Sequence, residues 1–168
     1  TSFNEDGSVN IENTVAIAQH LLDHGSDGLV VCGTTGENPT ISRESKIALF
    51  KAIAKACGDK GTIIANVGSN DTKGSVDFVK EVSAIPGIDG LLVVVPYYNK
   101  PNQQGQYLHF KSIAEATTLP IMVYNVPGRV GTGIFPATLA RLHKEYPHIC
   151  AIKEASGNLM IASEIKRL

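Results

Sequence analysis

The sequence lacks any block of like charge, any apolar run approaching the roughly 20 residues that cross a bilayer, and tryptophan altogether. Fifteen Lys and Arg stand against sixteen Asp and Glu for a net charge of -1, so neither a nucleic-acid footprint nor a polybasic membrane surface is supported, and a small-molecule partner is expected. The first residues, TSFNEDGSVN, do not follow a basic stretch with an apolar one as a signal peptide does, and a cytoplasmic location is expected. Three cysteines, Cys32, Cys57 and Cys150, are too few, too scattered and odd in number for a disulfide framework or a metal-ligand spacing, and are expected to be buried small apolar residues. What remains, 43% hydrophobic and 18% charged over 168 residues, is an ordinary globular composition that can supply one sizeable core.

Short apolar runs rich in β-branched residues recur at Gly28 to Cys32, Thr62 to Val67, Gly90 to Val95, Pro120 to Val126 and Ile149 to Ile152, each with the pattern of a strand buried on both faces. Between them, apolar residues at helical spacing (Ile17, Leu21, Leu22; Ile47, Phe50, Ile53, Ala54; Val76, Val79, Val82; Phe110, Ile113, Ala114; Leu139, Leu142) predict amphipathic crossover helices. Ser42 and Asn158 are candidate N-caps, Pro136 suits a first helical turn, and Gly25 and Gly58 follow helices. Strand centres lie about 30 residues apart, one strand-helix unit, so a parallel α/β sheet is predicted, either doubly wound or closed as a (β/α)8 barrel. No linker or change of composition divides the chain, so residues 1–168 are expected to form one domain or part of one.

Ligands of parallel α/β proteins bind beyond the carboxyl ends of the strands, and four such ends carry unusual groups. The turn GTTGE, Gly33 to Glu37, offers hydroxyls and free backbone N–H groups to a small anion, although a turn of this composition is more often only a turn. Lys153 in CAIKEAS follows a buried strand; neutralised by burial it is a nucleophile for a carbonyl, while pairing with Glu154 is the plainer alternative. YNVPGR, Tyr124 to Arg129, brings a phenol suited to proton transfer and a guanidinium suited to a carboxylate, although either residue alone is more often a half-buried aromatic or a solvated Arg. PYYNKP, Pro96 to Pro101, points adjacent tyrosines in different directions, so that one can pack while the other serves a site or a subunit contact, although taken alone such a loop more often only packs. Histidines 20, 24, 109, 143 and 148 have no ligand spacing and are assigned to surface or packing.

Taken together and in this order, GTTGE, PYYNKP, YNVPGR and IKEASG resemble the dihydrodipicolinate synthase and N-acetylneuraminate lyase family of pyruvate-dependent class I aldolases, over essentially the whole chain. The resemblance implies a (β/α)8 TIM barrel, present over residues 1–168 as a partial catalytic domain of about five strand-helix units, without the first strand, the last strands and the C-terminal helical extension. Such a segment alone is expected to be inactive and prone to aggregate. Thr34 and Arg129 together favour the synthase branch over the lyases. On this resemblance Lys153 forms the Schiff base with pyruvate. Thr35, Gly33 and the neighbouring N–H groups hold the pyruvate carboxylate. Tyr124, Thr34 and Tyr98 relay protons, with Tyr98 supplied to a neighbouring subunit, and Arg129 meets the carboxylate of L-aspartate 4-semialdehyde. The implied product is 4-hydroxy-tetrahydrodipicolinate, on the diaminopimelate route to lysine, with no cofactor, no metal and a homotetramer built as a dimer of dimers. In lysine-sensitive members the effector pocket at the dimer interface has histidines on the helix after GTTGE and a Glu on the next helix. The matching positions hold Arg43, Lys46 and Gly74 while Tyr97 and Asn70 still match, which implies weak or absent feedback by lysine. The alternatives are a sister lyase or aldolase acting on a sugar acid or other 2-oxo acid, and a noncatalytic ligand-binding α/β module.

Overall fold

The structure is a computed structural model that describes all of residues 1–168. It divides into two compact units, Thr1–Asn66 with Glu81–Gly90, and Val67–Lys80 with Leu91–Leu168.

In the first unit, helix α1 (Ile11–Asp23) starts at Asn10, whose side chain accepts the Asn13 N–H and so satisfies one of the amides a helix start leaves unpaired. Strand β1 (Gly28–Val31) follows, then α2 (Arg43–Cys57), capped by Ser42 as its sequence predicts. The apolar spacing of α2 puts Ile47, Phe50, Ile53 and Ala54 on one buried face, with Phe50 fully enclosed. Burial of a side chain of that size contributes roughly 1.5–3 kcal/mol. Gly58 ends the helix with its N–H on the Ala54 carbonyl. Strand β2 (Thr62–Asn66) then lies parallel to β1, in register from Gly28 opposite Thr62 to Val31 opposite Ala65. A Cβ on Gly28 would stand 2.6 Å from the Thr62 carbonyl oxygen, so this close approach of the two strands requires glycine.

Helix α3 (Thr72–Ser83) gives its last residues to the first unit, where Glu81 pairs with Arg43 of α2 at 2.7 Å. In the second unit β3 (Gly90–Val94), β4 (Ile121–Asn125) and β5 (Ile149–Glu154) run parallel. They alternate with α4 (Gln103–Ala114), a short α5 (Pro127–Val130), α6 (Pro136–Glu145) and α7 (Leu159–Arg167). Asn158 caps α7 through the Met160 N–H, again as predicted. Strand followed by helix, with every pair inside a unit parallel, is the repeat of a (β/α)8 barrel. No helix is long and apolar enough to cross a membrane.

The strands depart from uniform burial. β3 is the buried apolar run that its sequence predicts, but Val30 of β1 is 39% exposed and β5 is open along much of its length. Cys150 is exposed, against the expectation that all three cysteines are buried. Cys150 lies at a register shift and on the wall of an open groove. Ile121 faces Ile149 and Met122 faces Ala151, so Cys150 is the extra residue of a bulge and has no partner across the pair. A groove of about 890 Å³, lined by residues that include Leu139, Ile149, Ile152 and Ile165, runs along the same side. The turn after β1 is also more regular than its composition suggests, forming 3-10 turns at Thr34–Gly36 and Asn38–Thr40.

Candidate active site

The site residues of the first unit sit on the chain that leaves β1. Cys32 adopts a left-handed backbone, φ 56°, which a side chain resists by roughly 1–2 kcal/mol, and it turns the chain out of the strand. Gly33 is extended, and the following 3-10 turn closes through the Gly36 N–H on the Gly33 carbonyl at 3.0 Å and the Glu37 N–H on the Thr34 carbonyl at 3.1 Å. The amide of Thr35, in the opening residues of the turn, has no partner within it, an N–H of the kind that suits a small anion. Thr35 is exposed, Thr34 half-buried and Gly33 buried. Burial pushes the Cys32 thiol up to about 11 although the Lys46 ammonium opposes it, so Cys32 is a neutral thiol rather than a nucleophile at neutral pH. Half-burial in turn lowers the affinity of Lys46 for its proton, with Cys32 opposing.

In the second unit the register brings two of the predicted residues together. Tyr124 of β4 lies opposite Lys153 of β5, and the Lys153 ammonium stands 4.5 Å from the centroid of the Tyr124 ring. Lys153 lies inside β5 rather than just after it, because the strand runs on to Glu154. Its side chain is exposed, so the burial that its strand context suggests is not present within these 168 residues. Tyr124 is 7% exposed.

The plainer alternative for Lys153, pairing with Glu154, is not what the structure contains. Alternation along β5 sends the Glu154 carboxylate the other way, where it accepts the Asn125 amide at 2.6 Å and the Ser156 N–H at 2.6 Å. Partial burial raises its proton affinity, but those hydrogen bonds outweigh burial and hold Glu154 below the usual carboxylate range. Asn125 has no reactive group to mark it within YNVPGR, yet it organises this end of the sheet. Besides binding Glu154, its carbonyl accepts the Ala155 N–H at 2.8 Å and its side-chain oxygen accepts the Ile134 N–H at 3.1 Å. One buried amide thus joins the ends of β4 and β5 to the segment after α5, next to the ladder pair Tyr124 and Lys153. The signal available in the sequence was an Asn buried at a strand end between two apolar residues, a position that demands partners.

Arg129 is exposed on α5, which Gly131 terminates at φ 76°. Tyr98 is 88% exposed and left-handed at φ 72°, so a large aromatic projects outward from the turn after β3, whereas Tyr97 is 37% exposed. Among the histidines, His143 and His148 bind backbone carbonyls and His20 stacks near His24, which agrees with surface and packing roles. His109 is buried, with Nδ1 2.8 Å from the Thr72 hydroxyl.

Residues 1–168 match the family described as the dihydrodipicolinate synthetase family. A 4-hydroxy-tetrahydrodipicolinate synthase of Moorella thermoacetica is 52% identical over 167 residues, covering 99% of this chain and 56% of that protein. Among solved structures, a dihydrodipicolinate synthase of Bacillus anthracis superposes with a TM-score of 0.95 at 42% identity, over 99% of this chain and 56% of that one. A chloride-inhibited dihydrodipicolinate synthase of Acinetobacter baumannii, complexed with pyruvate, superposes with a TM-score of 0.94 at 37% identity, over all of this chain and 57% of that one. The chain therefore spans a little over half the length of the relatives it matches, and the architecture it shares with them is part of a (β/α)8 barrel.

Proposed function

This chain belongs to the dihydrodipicolinate synthetase family over its whole length, and on that premise we propose that the protein condenses pyruvate with L-aspartate 4-semialdehyde through a Schiff base on Lys153. The observation that carries the reading is the pairing of Lys153 with Tyr124 across β4 and β5, an amine beside a phenol at the carboxyl end of the sheet and free of any carboxylate. The relative complexed with pyruvate supports the choice of that substrate.

The deprotonated Lys153 amine adds to the pyruvate carbonyl, and loss of water gives the imine. Loss of a methyl proton converts the imine to an enamine, whose carbon attacks the aldehyde of the semialdehyde. The substrate's own amine then displaces Lys153 as the ring closes, so that pyruvate and semialdehyde leave as 4-hydroxy-tetrahydrodipicolinate and one water. Each step moves a proton on or off an adduct, and Tyr124, Thr34 and Tyr98 are the hydroxyls proposed to carry it. Thr35 with the amides of the Gly33 turn holds the pyruvate carboxylate, and Arg129 meets that of the semialdehyde. No cofactor is needed for this sequence of steps. The outward-projecting Tyr98 supports its proposed place in the site of a neighbouring subunit of a homotetramer, and synthesis of a lysine precursor fits a cytoplasmic enzyme.

Borohydride reduction in the presence of pyruvate, followed by peptide mass spectrometry, is expected to place the adduct on Lys153. An adduct on another lysine, or none in a protein that turns over, overturns the assignment.

A further inference from the structure

We propose that Asn66 is a positioning residue that holds the Gly33–Thr35 turn in its substrate-binding geometry, acting through the backbone of Cys32. The inference rests on the pyruvate reading above for the role of that turn. The structural part stands on three observations within the first unit. The turn leaves β1 through a left-handed Cys32, a conformation that a residue with a side chain abandons unless its surroundings fix it. The Cys32 side chain is a buried thiol, and a thiol is only a weak hydrogen-bonding group with which to fix it. The fixation comes instead from the carboxyl end of β2, where the Asn66 side-chain amide donates to the Cys32 carbonyl at 2.7 Å.

Asn66 is itself 6% exposed, and its neighbours Ala65 and Val67 are 0% and 3% exposed. Donation to Cys32 sets the amide's orientation and turns the side-chain oxygen to a place where it has no partner. A buried amide with one end unsatisfied costs stability compared with an apolar residue of the same shape. A residue selected for packing would not carry that cost, and the bond to Cys32 is the one thing the amide provides that an apolar side chain cannot. Two residues beyond Cys32 the chain reaches Thr34 and then Thr35, so an error in the Cys32 backbone swings the turn as a lever.

Asn66→Asp is nearly isosteric but replaces the donor with an oxygen that faces the Cys32 carbonyl; Asn66→Ala removes the donor without adding charge and serves where the first variant does not fold. Amide hydrogen exchange of the segment 32–37 is compared with that of β2 in the same protein, alongside the pyruvate dependence of imine trapping on Lys153 and steady-state kinetics. Exchange in 32–37 is expected to rise while β2 stays protected. The pyruvate KM is expected to rise about tenfold, the loss of one hydrogen bond's worth of orientation, with little change in kcat or in the semialdehyde KM. Unchanged exchange in 32–37 overturns the proposal, as does a fall in kcat with both KM values unmoved, which is what loss of general stability would give. If the unsubstituted protein forms no imine, the pyruvate reading fails, and the exchange comparison alone then decides whether Asn66 anchors the turn.

Discussion

Acid should weaken this fold through one histidine. The His109 ring is 3% exposed, packs edge-on against Phe110 at 5.3 Å, and has Nδ1 2.8 Å from the Thr72 hydroxyl while Nε2 has no partner. A second proton would have to enter that apolar setting as an uncompensated charge. Burial accordingly pushes the ring down from 6.5 to about 4, against a small opposing effect of Asp71. The unfolded chain keeps its histidine near 6.5, so between pH 6.5 and 4 the unfolded state binds the extra proton and the folded state does not. The stabilisation is therefore fully present above pH 6.5, falls by at most about 1.4 kcal/mol per pH unit below it, and is exhausted near pH 4, for a total of roughly 3 kcal/mol.

The perturbation is His109→Asn, which keeps a polar atom near the position of Nδ1 for Thr72 and cannot titrate. It leaves a smaller side chain in a packed site, so at pH 7 it should cost on the order of 1–3 kcal/mol. Its pH dependence carries the information. Urea unfolding of the intact protein at a series of pH values from 7.5 to 4, followed by far-ultraviolet circular dichroism, gives both stability curves. Every other titrating group is common to the two proteins, so their difference isolates His109 and should shift by roughly 3 kcal/mol in favour of the variant on acidification, closing or reversing the gap. Parallel curves across that range would show that His109 is not held neutral and would refute the reasoning.

Tyr124→Phe removes one hydroxyl from a 7% exposed ring, so the protein should fold and still form the imine while turnover drops by about 100-fold or more; unchanged turnover in a coupled assay would remove Tyr124 from the proton relay. Arg129→Ala should spare imine trapping and raise the semialdehyde KM by an order of magnitude or more, from a charge-assisted bond of about 1.5–3 kcal/mol; equal small effects on both substrates would count against its proposed role. Lysine should inhibit weakly or not at all. Arg43 is already committed to Glu81 at 2.7 Å, Lys46 is a second cation, and Gly74 brings no carboxylate, its would-be Cβ lying 2.5 Å from the Asp71 carboxylate. Half-inhibition at micromolar lysine in a steady-state assay would overturn that expectation.

The strands and helix boundaries were legible because they depend on local chemistry. Ser42, Asn158 and Pro136 occupy the cap and first-turn positions that their side chains suit, and the apolar face of α2 is the one its spacing describes. Exposure was not legible in the same way, since it depends on what lies beside an element. The β5 run has the composition of a covered strand, yet the bulge at Cys150 and the open side of the strand leave it half-exposed, and no local pattern encodes a register shift. The motif reading likewise found the residues with reactive atoms and missed those that aim them, Asn66 and Asn125, because an amide at a strand end has no chemistry of its own until its partners are known.

Those two amides solve the same problem at different strand ends. A parallel strand stops where its ladder stops, and beyond that point backbone direction is free to wander just where reactive groups must be aimed. At β2 the amide of Asn66 fixes a strained turn by its Cys32 carbonyl, and at β4 the amide of Asn125 occupies the Glu154 carboxylate. Alternation along β5 sends the Glu154 side chain to the face opposite Lys153, and Asn125 with the Ser156 N–H holds the carboxylate there. The amide that orders the strand ends thus also fixes the Glu154 carboxylate on the far side of β5, while the Lys153 side chain stands beside the Tyr124 ring.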